Sequence, residues 1–131
     1  MNDIPNFHDG WPTGIQRDAK QVTLSILRVS GEKWRIVMEG VLALRLDGFL
    51  EGNIISCFEI IKGSQPAPGI LDHLYPAPHP LAEKQYHDIH ASGLKKKSSM
   101  VMAGEAVMAI ITPSYGADFV ALGQSIELVG I

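Results

Sequence analysis

Cysteine is nearly missing: Cys57 is the only one in 131 residues. No disulfide can form within the chain, and a cysteine-built zinc site is excluded. Long apolar runs are missing too, since nothing approaches the roughly 20 residues of a membrane-spanning helix. The opening Met1-Asn2-Asp3-Ile4-Pro5-Asn6 has neither the basic start nor the apolar stretch of a secretory leader. These features predict a cytoplasmic protein with no membrane partner. Positive charge is in short supply as well. The chain carries 11 Lys and Arg against 14 Asp and Glu, a formal net charge of -3, with a pI near 5.9. Such a chain has no basic field to draw it to phosphate backbones, so no nucleic-acid partner is expected. The glycine-rich phosphate cradles are absent, and Ser114 sits in Pro113-Ser114-Tyr115-Gly116 rather than in a nucleophile elbow.

What remains is the composition of an ordinary globular domain, 46% hydrophobic and 19% charged. The length predicts a single domain over residues 1–131. Residues 1–16 mix Pro5, Gly10, Pro12 and Gly14 with Phe7 and Trp11, which predicts an irregular N-terminal arm pinned by two rings. Val22, Leu24 and Ile26 then alternate with Thr23 and Ser25, the period of a half-buried strand. Ser30 to Lys33 turns the chain into a second strand carrying Trp34, Ile36 and Met38, and Leu42, Leu44 and Leu46 mark a third. The run Asn53 to Ile61 is apolar on both faces and predicts a central strand with Cys57 buried inside it.

Seven prolines and glycines between residues 62 and 80 predict an extended connection, with room for one short element at Ile70–Tyr75. A helix is predicted near residues 81–92, opened by Pro80 and stopped by Gly93, with Lys95, Lys96 and Lys97 at its negative end. Ser99 to Ile111 reads as a long strand placing Met100, Met102 and Met108 on one phase, and shorter strands follow from Phe119 and Ile126. The predicted fold is α+β: a curved, mainly antiparallel sheet of six or seven strands with one covering helix.

Histidine supplies the one cluster with metal-ligating chemistry. His73, His79, His87 and His90 fall between the proline-rich connection and the helix. On a helix, Glu83, His87 and His90 share a face at i, i+4 and i+7, and with His79 they can converge on a divalent metal such as zinc. The spacing is not the His-Glu-x-x-His protease motif. A solvated polar face carrying two imidazoles is the competing reading, and it requires no cofactor. His8-Asp9 beside Trp11 is a second pair in which a carboxylate can orient an imidazole, although adjacent residues seldom face each other.

Phe7-His8-Asp9 near Trp11-Pro12, Leu44 to Phe49, Gly52 to Ile55 and Pro113 to Asp118 together resemble small bacterial β-rich families. Among these the chain is similar to immunity proteins of polymorphic toxin systems, which carry an aromatic-Trp-Pro element near Phe-His-Asp; here the two elements stand in the opposite order. The resemblance covers mainly residues 7–61 and carries no catalytic residues. With no nucleophile, base and orienting group in view, it implies a non-enzymatic protein that binds a protein partner. A metal-binding protein or metal-dependent enzyme built on the histidines is the alternative. A homodimer is also expected, because the two apolar phases of residues 100–111 exceed what one sheet and one helix cover.

Overall fold

The computed structural model describes residues 4–131; the first three residues of the predicted arm lie outside the described residues. Eight strands and two helices follow in the order β1 (Trp11–Asp18), β2 (Gln21–Leu27), β3 (Lys33–Glu39), β4 (Ala43–Asp47), β5 (Ile54–Ile61), α1 (Ile70–Leu74), α2 (Lys84–Met102), β6 (Val107–Tyr115), β7 (Asp118–Gly123) and β8 (Ser125–Gly130). The class is α+β, rich in antiparallel strand, as the sequence predicts. The strands, however, divide between two open sheets, with orders β1-β2-β3-β8 and β4-β7-β6-β5.

The sheets face each other because each strand buries alternate residues. Val22, Leu24 and Ile26 of β2 and Ile36 and Met38 of β3 point inward from the first sheet. They meet Ile55, Val107, Ala109, Ile111, Phe119 and Ala121 from the second. Phe7 plugs this core from the arm, edge-on to Trp34 at 6.1 Å and to Phe58 at 5.3 Å. The other face of the second sheet is dry as well. Met108, Ile110, Val120 and Leu122 pack against Leu71 of α1 and Val101 of α2, with Leu94 and Met100 beside them. The result is a stack of sheet, sheet and helical layer, in which β6 and β7 are covered on both sides.

Two corners tie the sheets together. Gly40 to Leu42 carries the chain from β3 into β4, and Gln124 alone separates β7 from β8. Gln124 N–H donates to the Glu39 carbonyl and Leu42 N–H to that of Leu122. Gly40 holds a φ of +61°, and a Cβ there would run into the Gln124 side chain, so glycine is required on both grounds.

Several expectations are corrected. Trp11 to Gln16, assigned to an irregular arm, belong to β1, whose register shift between Pro12 and Gly14 hides it from a period-2 reading. The strand covered on both faces is not β5. Its own shifts between Ile54, Ile55 and Cys57 turn Ile55 and Phe58 to the core and leave Cys57 exposed on a sheet edge. The helix runs well past residue 92. Gly93 sits inside it, a position that costs about 1 kcal/mol relative to alanine, but continuing the helix seats Leu94 and Val101 on the second sheet. The stop is Gly104 with a φ of +78°. There Ala103 and Gly104 N–H groups return to the Ser99 and Val101 carbonyls. Met100 and Met102 therefore belong to the last helical turn, and Met108 is core, so the methionine row proposed for a dimer does not exist. Ile70–Leu74 does form the short element inside the proline-rich connection. No helix among the described residues is long and apolar enough to cross a membrane.

Candidate functional site

The histidines are placed singly. His90 lies on the half-buried side of α2, where Nε2 donates to the Tyr75 carbonyl at 2.7 Å. His79 turns back on its own loop, and its Nδ1 accepts the Leu81 N–H at 3.1 Å. Glu83 precedes the helix with non-helical backbone, which removes it from the i, i+4, i+7 series with His87 and His90. His87 is half-buried and His73 exposed; the His73 carbonyl accepts Arg45. Among the described residues no group of three or more His, Cys, Asp or Glu side chains is placed to hold a metal ion. Tyr75, between α1 and α2, receives the Lys97 ammonium over its ring at 5.9 Å, and desolvation pushes its phenol above the ordinary value of 10.0.

His8 and Asp9 do approach each other. Asp9 takes a left-handed φ of 61°, which an aspartate tolerates better than most residues, and its N–H donates to Ile55 on the edge of β5. His8 Nδ1 donates to the Ser56 carbonyl at 2.7 Å, leaving Nε2 3.6 Å from Asp9 Oδ1. Both side chains face solvent. The pair serves as a clip that fastens the arm to β5.

A more constructed site lies at the adjoining end of the stack, around Asn53. Asn53 is the one buried polar residue of the described chain, only 2% exposed. Its Oδ1 accepts the N–H groups of Leu50 at 2.8 Å and Ala117 at 3.0 Å. Its Nδ2 donates to the carbonyls of Leu50 and Pro12. One amide thus joins the start of β1, the β4–β5 loop and the β6–β7 turn, satisfying its own donors and acceptors and theirs. Gly116 completes the joint: its φ is +81°, and a Cβ there would strike Asn53 Oδ1.

The joint holds large apolar side chains out in solvent. Trp11, Phe49, Leu50 and Tyr115 are 37%, 40%, 48% and 54% exposed, and each lies within two residues of a group that Asn53 bonds. Around them the charge is acidic. Glu51 sits in the β4–β5 loop, and Asp118 stands directly opposite Asp47 in the β4–β7 register. Asp47 is matched by Arg45, while Glu51 and Asp118 have no ion-pair partner among the described residues.

No protein-family model, no curated protein and no solved structure matches the chain. The site therefore rests on its own geometry. The sequence held two signals of it: Phe49-Leu50 is an apolar pair inside a turn bracketed by Gly48 and Gly52, and Asn53 is a turn-forming amide at the foot of an apolar strand.

Proposed function

We propose that this is a non-enzymatic binding protein of the bacterial cytoplasm that docks a basic protein partner on the end clamped by Asn53. The observation that carries the reading is the set of four hydrogen bonds from one buried amide, which fixes three segments bearing exposed Trp11, Phe49, Leu50 and Tyr115. Aromatic anchors held rigid before contact lose little entropy on binding and dominate interface energies. The unmatched carboxylates of Glu51 and Asp118 at the rim favour a partner of positive charge and speed its approach. The resemblance of the Phe7 to Pro12 element to toxin immunity proteins points the same way, toward stoichiometric neutralisation of a partner.

The test compares the wild-type chain with the Trp11→Ala, Tyr115→Ala double variant. Each is used to capture proteins from a bacterial extract, and the retained partner is purified and titrated back by calorimetry. The expected result is a one-to-one complex whose affinity rises as salt falls and drops about a hundredfold in the double variant, as loss of two hot-spot aromatics predicts. A partner bound equally well by both forms overturns the reading, as does retention of none.

A further inference from the structure

Two open sheets present four edges, and three of them are closed to further pairing. The β1 edge carries Pro12, a register shift and the charged pair Arg17 and Asp18. The β5 edge is shifted twice and bonded along its first half by Asp9, Gly10 and His8. The β4 edge has five residues, two of them charged, and Arg45 reaches across to α1. These are the devices by which proteins protect strand edges.

The β8 edge is the least protected of the four, with Glu127 as its single charge. Ser125-Ile126-Glu127-Leu128-Val129-Gly130 contains no proline or lysine and pairs with β3 without a register shift. Among the described residues its backbone bonds only to β3. Ile126 and Leu128 point into the sandwich yet are only half-buried, because β8 ends the strand order of its sheet among the described residues. We infer that β8 pairs antiparallel with β8 of a second copy, joining the two four-stranded sheets into one sheet of eight across a twofold axis at Leu128.

The register follows from the pleat and from charge. Residues opposite one another must share a face, which confines the axis to a residue rather than a gap between residues. An axis at Glu127 would set two carboxylates directly opposite, a destabilising pair. An axis at Leu128 sets Leu128 against its own copy on the inner face and Glu127 against Val129 on the outer face. Val129 is in turn the β3 partner of Arg35, which has no ion-pair partner among the described residues. Glu127 of each copy therefore lies in one row with Arg35 of the other. Their backbones are two strand spacings apart, about 10 Å, within the combined reach of the two side chains. The contact occurs twice by symmetry. This inference stands apart from the docking end at Asn53 and does not rest on it.

Mixing two charge-reversed chains tests it. Glu127→Arg puts like charges on Arg35 of the other copy, and Arg35→Glu does the same to Glu127, so each variant alone dimerises about tenfold more weakly. In the heterodimer that forms in an equimolar mixture both cross-copy contacts are again of opposite sign, and dimerisation recovers. Sedimentation equilibrium reads all three samples, with circular dichroism confirming the fold. If a reversal unfolds the chain, Glu127→Gln and Arg35→Gln replace it, each weakening the dimer about threefold without recovery on mixing. A wild-type chain that remains monomeric at about 100 μM, well above common dimer constants, overturns the inference. So does a dimer indifferent to these substitutions, or two reversed variants that fail to recover when mixed.

Discussion

The side-chain oxygen of Asn53 accepts the backbone N–H of Ala117, 64 residues further along the chain, at 3.0 Å. The same oxygen binds Leu50, three residues back, so one atom carries both a local turn and a long-range tie. Deleting it leaves buried donors and carbonyls unmet. Asn53→Ala is expected to lower stability by about 3 kcal/mol, since each unmet buried group costs roughly 1–3 kcal/mol and part of the site opens to water. Gly116→Ala attacks the same joint from the other side. The two losses combine to less than their sum, because the second substitution has no joint left to break. Urea unfolding of both single variants and the double variant measures this. Additive losses would mean that the residues act separately.

Two methionines separate core from surface. Met108 is fully buried between β6 and the helical layer, whereas Met102 is 55% exposed in the last turn of α2. Met108→Asp buries a carboxylate with no partner, a penalty of several kcal/mol against a total stability on the order of 5–15 kcal/mol. That variant is expected to lose its cooperative melt. Met102→Asp is expected to stay folded with a change within about 1 kcal/mol, the sign set by an unfavourable charge at a helix C-terminus. Thermal melts followed by circular dichroism decide it.

Cys57 gives a chemical readout of the β5 edge. Its thiol is exposed but held above the ordinary value of 9.0, first by desolvation, then by the Glu59 charge and by the hydrogen bond it donates to Glu59. A raised value means less thiolate at pH 7.5 and slower alkylation, since the thiolate is the nucleophile. The rate with iodoacetamide should still be climbing above pH 9 and should increase in Glu59→Gln, which removes the charge and leaves a weaker, neutral acceptor for the thiol hydrogen bond. A rate that levels off below pH 8 contradicts this account.

What the sequence reveals and conceals follows from the range of each interaction. β2 is legible because Val22, Leu24 and Ile26 bury one face while Thr23 and Ser25 stay partly open, and strict alternation needs no distant information. The extent of α2 is illegible because Gly93 and Lys95 to Lys97 resemble a helix end, and only contact of Leu94 and Val101 with the second sheet overrides that local preference. β5 misleads for a related reason: its apolar residues look like a buried centre, but the shifts at Ile55 and Cys57 are set by pairing with β6. Asn53 is one amide in a turn until Pro12 and Ala117 arrive to bond it. The clamped end around Asn53 is thus a property of the fold, whereas the histidines are a cluster in the sequence that forms no group of three or more metal-ligating side chains among the described residues.

The lone residue between β7 and β8 also governs how the chain reaches this shape. Because only Gln124 separates them, β7 cannot join β4 and β6 in one sheet without delivering β8 to the other, so the late strands of the two sheets dock as a single event. That event sets Trp34 beside Gly130 and Ala43 beside Leu122, closing loops that enclose most of the chain between them. Such closures lose entropy before their contacts form. Folding should therefore be slow for a chain of this length, in the millisecond-to-second range of sheet proteins with distant pairings, with the Gln124 corner as the gate through which both sheets pass together.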